Sequence, residues 1–138
     1  MIGHILLAFD GSEPSLKALA LALELARRHQ ARLLVLTVAE VPEFPEEVET
    51  VALVEQSRAY HQRLLDGVRE RLRSSDVRCE FHLVVGHPAR QILAEAERRG
   101  IDLIVLGHRG HGMLDRWRLG SVTHRVISYA ECAVTVVR

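Results

Sequence analysis

The run Leu33-Leu34-Val35-Leu36-Thr37-Val38 carries apolar side chains at both alternations of a strand, so neither of its faces suits water. A strand of this kind belongs in the middle of a parallel sheet covered by helices on both sides. The segments around it supply the rest of such a fold. Ile5-Leu6-Leu7-Ala8-Phe9 is a second short apolar run, ending at Asp10-Gly11-Ser12, a cluster with turn and capping chemistry. Ser12 is suited to cap a helix whose first turn holds Glu13 and Pro14. In that helix Leu16, Leu19, Ala20, Leu23 and Ala26 recur at helical spacing, and Arg27 and Arg28 stand at its end. The chain therefore opens β-α-β.

Residues 40–45 hold two prolines among acidic residues and read as a surface loop. Glu46, Glu47 and Glu49 then load the first turn of a long helix with Leu64, Leu65, Val68 and Leu72 on one side. Residues 77–85 form a third strand, and Gly86-His87-Pro88 opens a third helix in which Ile92, Leu93 and Ala96 face inward and which Gly100 stops. A fourth strand over 101–106, a fourth helix over 121–130 and a fifth strand over 133–137 complete the pattern. Strands alternating with helices over the whole length predict an α/β domain spanning 1–138, with right-handed crossovers and helices on both faces. A length of 138 residues fits one core and is too short for two well-packed ones.

Charge narrows the function classes. Lys plus Arg number 18 and so do Asp plus Glu, leaving no net field to attract nucleic acid or an anionic membrane. Any anion site must be local. No segment approaches the roughly 20 apolar residues of a membrane span, and the N-terminus lacks a charged segment followed by a long apolar stretch. A cytoplasmic location is the expectation. Cys79 and Cys132 have no metal-knuckle or C-x-x-C spacing and read as buried structural thiols.

The chemistry concentrates in residues 107–123. Ligands of open α/β sheets sit beyond the carboxyl ends of the strands, where the strand order reverses. The fourth strand ends at Leu106. It is followed by Gly107-His108-Arg109-Gly110, nine further residues, and Gly120-Ser121-Val122-Thr123 at the start of a helix. The glycines are expected to supply unusual φ values and to let backbone N–H groups approach an anion. The helix N-terminus adds unpaired donors and the positive end of its dipole. Ser121 and Thr123 would add hydroxyls, and Arg109 a forked charged contact. The result is a two-sided phosphate cradle. Neither G-x-G-x-x-G after the first strand nor G-x-x-x-x-G-K-[ST] is present, which argues against an ordinary dinucleotide enzyme and a P-loop.

The spacing Gly107-x2-Gly110-x9-Gly120-Ser121, continued by Val122-Thr123, resembles the ATP-binding signature of the universal stress protein family. The resemblance extends to the opening strand and Asp10-Gly11-Ser12, the strand ending Leu36-Thr37-Val38, Gly86-His87-Pro88, the run from Ile101 to Gly107 and the last strand. It implies a doubly wound, Rossmann-like five-stranded parallel sheet of order 3-2-1-4-5. It implies that Ala8, Phe9 and Asp10 line an adenosine pocket and that Val38 offers backbone groups to adenine. By the same resemblance Leu106, Gly107, Arg109 and Gly110 wrap ribose and phosphates, and Gly120, Ser121, Val122 and Thr123 take the phosphates. Two departures stand out: Cys132 is followed by Ala133 where the family often has proline, and Asp115 lies in the loop near Arg116 and Arg118.

Asp10 could hold Mg²⁺ that arrives with the nucleotide, or cap the turn that follows it; the sequence leaves both open. His108, His111, Asp115 and His124 make a weak zinc set, because a loop fixes tetrahedral ligands poorly, and they read as solvated side chains. No nucleophile stands beside a base. The expected function is therefore ATP-dependent regulation or stress response through conformation or partner binding, with hydrolysis at most slow. An enzyme that cleaves or transfers an adenylyl or phosphoryl group, and a nucleotide-independent dimeric module, are the alternatives. The last strand, Ala133-Val134-Thr135-Val136-Val137, is an apolar edge that invites pairing, and the resemblance implies an antiparallel homodimer through it. A monomer whose edge is protected by Arg138 is the other reading.

Overall fold

A computed structural model describes residues 1–40, 48–110 and 119–138. Most of the loop expected over 40–45, together with Glu46, Glu47, His111, Asp115, Arg116 and Arg118, lies outside the described residues. The chain runs β1 (His4–Ala8), α1 (Glu13–His29), β2 (Arg32–Glu40), α2 (Val48–Arg71), β3 (Cys79–Gly86), α3 (Pro88–Arg99), β4 (Leu103–Gly107), α4 (Ser121–Tyr129) and β5 (Ala133–Val137). The five strands form one parallel sheet of order β3-β2-β1-β4-β5. Among the described residues no helix is long and apolar enough to cross a membrane.

The unbroken apolar runs are explained by the two faces they serve. Ile5, Leu7, Leu33, Val35, Leu103 and Val105 point to the face covered by α1 and α2, where Leu65 and Val68 pack on them. Their neighbours Leu6, Leu34, Leu36, Ile104 and Leu106 point to the opposite face, covered by α3 and α4 through Ile92, Ala96 and Val126.

The helix ends follow local chemistry. Ser12 caps α1, its Oγ accepting from Ser15 N–H at 3.3 Å. Pro88 sits in the first turn of α3, and Gly100 ends that helix in the left-handed conformation at φ 62°.

The inward stripe of α1 differs from the one the spacing predicts. Ser15, Ala18, Leu19, Ala22 and Ala26 are buried, whereas Leu16 is 42% exposed and Ala20 is exposed. Small residues let the helix settle close to the sheet, and its start touches β4. A Cβ placed on Gly107 would lie 2.6 Å from Pro14 Cβ and 3.0 Å from the Pro14 carbonyl carbon. Both cysteines are free and half-buried rather than fully buried, and burial pushes each thiol up.

The amino ends of the strands are closed by charge. Asp102 Oδ2 accepts from Gly3 N–H at 2.8 Å and His4 N–H at 2.9 Å, which holds its carboxyl below the ordinary value. Nearby, Arg99 donates to Glu95 Oε2 at 2.7 Å and Glu80 Oε2 at 3.0 Å, and Arg98 also pairs with Glu95. Burial alone would raise the Glu95 carboxyl, but these guanidiniums bring it below its usual range.

Two glycine substitutions separate packing from propensity. Gly107→Ala is expected to lower stability by about 1–3 kcal/mol, because backbone and a proline ring cannot yield to the new methyl. Gly67→Ala, inside α2 one turn from its C-terminal end and with nothing within 4 Å of the added carbon, should raise it by about 0.5–1 kcal/mol. Urea denaturation checks both, and equal effects would contradict the packing account.

Candidate functional site

From β1 the chain crosses outward to β2 and then β3; β4 returns to the other side of β1, and β5 follows it. The crevice between the carboxyl ends of β1 and β4 is the switch point of the sheet. At the end of β1, Gly11 adopts φ 81°, and Ser12 N–H donates to Asp10 Oδ1 at 2.9 Å. Asp10 thus caps its turn, one of the two roles open from the sequence. Its Oδ2 faces Gly110, where an added Cβ would come within 2.6 Å of that oxygen.

Opposite, the two ends of the β4–α4 connection are pinned together. Gly120 N–H donates to the His108 carbonyl at 2.8 Å, and Thr123 Oγ1 donates to the Gly107 carbonyl at 2.8 Å. His108 N–H donates to the Val137 carbonyl at 2.8 Å, and the residue is 4% exposed. His108 is therefore a buried link to β5 and not the solvated side chain expected.

The glycines also act differently from expectation. Among the described residues the glycines with positive φ are Gly11, Gly86 and Gly100, not Gly107, Gly110 or Gly120. Those three matter because their missing side chains admit Pro14, the Asp10 carboxylate and the Arg109 backbone, the last 3.2 Å from a Cβ on Gly120.

These bonds also define what α4 leaves open. The Gly120 amide and the Thr123 hydroxyl donate within the protein, so neither is the outward donor expected of it. Gly120, as N-cap, brings no side-chain acceptor. Among the described residues no acceptor meets the N–H groups of Ser121, Val122 and Thr123. Three adjacent amides at the positive end of a helix make an anion seat.

A cleft of about 520 Å³ joins this seat to the switch point. Ala8, Phe9 and Asp10 from the end of β1 line it, as does Val38 of β2. Leu106, Gly107, Arg109 and Gly110 line it from β4 and the residues after it, and Gly120, Ser121, Val122 and Thr123 from the start of α4. All twelve candidate residues thus border one space.

Val38 borders it with its backbone. Arg32 N–H donates to Gly3 and the Leu36 carbonyl accepts from Phe9 N–H at 2.9 Å, so even-numbered residues of β2 turn their peptide groups toward β1. Two residues beyond Leu36, β1 has ended, and the N–H and C=O of Val38 face the cleft unpaired by the sheet.

The sequence reading missed part of the wall. Pro88 and Ile92 were assigned only to a helix start and a core. Glu40 was assigned to a surface loop but is the last residue of β2, and Ser57, Tyr60 and His61 had no assigned role; all four line the cleft from the side of β2 and α2. The one available signal was spacing: Ser57 and His61 precede Leu65 by eight and four residues on the inward stripe of α2.

Comparison with known proteins places this architecture. The profile of the universal stress protein family matches residues 1–138. The universal stress protein YxiE of Bacillus subtilis is 34% identical, with 100% of both chains covered. The solved structure of universal stress protein UspA from Lactobacillus plantarum superposes with a TM-score of 0.89 at 30% identity, covering 99% of this chain and 97% of that one. A universal stress protein family member from Arabidopsis thaliana, solved with AMP bound, shares the fold with a TM-score of 0.71 at 23% identity, covering 98% and 90%. With a family profile that spans it from end to end and a fold to match, the chain belongs to the universal stress protein family.

Proposed function

We propose that the cleft binds ATP and that the protein acts in regulation or stress response through nucleotide-dependent conformation or partner binding. The carrying observation is the row of three amides, Ser121 to Thr123, that no acceptor among the described residues meets and that open into a cleft at the switch point of the sheet. Phosphates would lie on these amides with Arg109 beside them. The base would reach the exposed peptide groups of Val38, whose N–H and C=O match the acceptor and donor on one edge of adenine. The AMP held by the Arabidopsis fold neighbour agrees with an adenine nucleotide.

Asp10 suits a magnesium ion carried in with the phosphates. One carboxylate plus phosphate oxygens is a common Mg²⁺ environment, and Oδ2 faces Gly110 on the rim of the same cleft. Among the described residues no cluster of three or more His, Cys, Asp or Glu could hold a metal without the nucleotide. The ion would neutralise phosphate charge next to the carboxylate. The construction favours holding the nucleotide over turning it over.

Calorimetric titration with ATP, with and without Mg²⁺, tests this reading. Ser121→Pro removes one amide donor at the first helical position, where proline is tolerated. It should weaken ATP binding at least about tenfold, the scale of one hydrogen bond to a charged group. Ser121→Ala, which keeps the amide, should change it far less. Gly110→Val drives a side chain into Asp10 and should also abolish binding with little loss of folding. Absence of binding by the unaltered protein at millimolar ATP, or full binding by Ser121→Pro, would overturn the reading.

We also infer a homodimer through β5. The Val137 carbonyl accepts from His108 N–H on the β4 side, so by the two-residue period Val134 and Val136 direct their peptide groups to the open edge. Among the described strands none covers that edge, and an apolar open edge favours pairing. Light scattering should give twice the chain mass, and Val136→Pro, which deletes an outward N–H, should give the single-chain mass. A monomeric unaltered protein, or a dimeric proline variant, would contradict the dimer.

A further inference from the structure

The inward stripe of α2 changes character along its length. Leu72, Val68 and Leu65 pack into the core below the sheet end, and the same face continues through His61 and Ser57, which line the cleft. Where the stripe leaves the core and reaches the cleft, its apolar side chains give way to polar ones.

His61 is held in one arrangement. Its Nδ1 lies 2.7 Å from the Ser57 carbonyl. A carbonyl oxygen only accepts, so Nδ1 carries the proton and donates. The Tyr60 ring meets His61 edge-on, with centroids 5.2 Å apart and planes at 88°. With Nδ1–H committed, the other nitrogen of the neutral ring, Nε2, is an acceptor. The same geometry prevents His61 from activating the Ser57 hydroxyl, 3.4 Å from Nδ1, because that nitrogen has no lone pair to take a proton. The pair is therefore not a nucleophile and base.

The position of α2 specifies which part of a ligand this acceptor would meet. The helix packs on β2 and β3, whereas α4 packs on α3 and β5. His61 therefore borders the cleft on the side of Val38, remote from the anion seat. Resting on the nucleotide reading above, we infer that His61 is a specificity-determining residue: its fixed Nε2 acceptor selects bases with an exocyclic amino group, the 6-aminopurines, over 6-oxopurines. An amino group donates to Nε2, whereas a 6-oxo oxygen would place two acceptors face to face. Ser57 is a positioning residue that acts through its backbone carbonyl. Glu40, two residues past Val38 on β2, also borders the cleft.

The test compares ATP with inosine triphosphate, which carries oxygen in place of the 6-amino group, on the full chain by calorimetry. The unaltered protein should prefer ATP. His61→Phe, which keeps a ring but has no acceptor, should reduce that preference about tenfold through weaker ATP binding, with inosine triphosphate changed less than about twofold. A preference unchanged in His61→Phe overturns this inference and leaves the nucleotide reading standing. Failure of the unaltered protein to bind either nucleotide overturns both. A second measurement needs no variant: in ¹⁵N spectra of the unaltered protein, His61 Nε2 should be unprotonated and should shift with ATP but not with inosine triphosphate. A protonated Nε2, or no ATP response, would also overturn it.

Discussion

The Thr123 hydroxyl donates to the Gly107 carbonyl, and the Gly120 amide to the His108 carbonyl, both at 2.8 Å. These two bonds bring the end of β4 against the start of α4 and fix the direction of that helix. Glycine at 120 lets the Arg109 backbone come this close, while the missing side chains at 107 and 110 admit Pro14 and the Asp10 carboxylate. Once α4 is held there, its next three amides face the space beyond β1, and β5 is tied in through His108. The cleft is a consequence of how these segments are stitched together.

The two ends of the sheet are built for different purposes. At the amino ends, Asp102 binds the start of β1 and a Glu95–Arg99–Glu80 chain ties α3 to β3. Charges there have partners. At the carboxyl ends, backbone groups of Val38 and of residues 121–123 have no hydrogen-bond partner among the described residues. Unpaired peptide groups are costly when buried, and an open, wet cleft is where they are tolerable until a ligand meets them.

Much of this was legible in the sequence because it depends on local rules. Apolar runs without alternation marked the strands, Ser12 and Gly100 marked helix ends, and β5 begins and ends where its residues predict. What was less legible depends on tertiary contact. Periodicity found a stripe on α1 but chose Leu16 and Ala20 over Ser15 and Ala18, because the flank that faces inward is decided by packing on the sheet, including the approach of Pro14 to Gly107. The glycines of the signature were identified for an unusual backbone and are required for close packing. Thr123 and His108 were read as facing a ligand or water and instead hold the chain to itself. His61 was missed because nothing local distinguishes a histidine on a helix from its seven counterparts elsewhere in the chain. Its meaning comes from lying on the core stripe above the end of the core.

The central claim is that ATP bridges the exposed amides of α4 and the end of β2. Amide spectra recorded during an ATP titration of ¹⁵N-labelled protein test it most directly. The account predicts that Ser121, Val122, Thr123 and Val38 shift together and saturate at one concentration. Resonances that stay in place at these four positions while others move, for example around the groove between the C-terminal ends of α3 and α4, would contradict it.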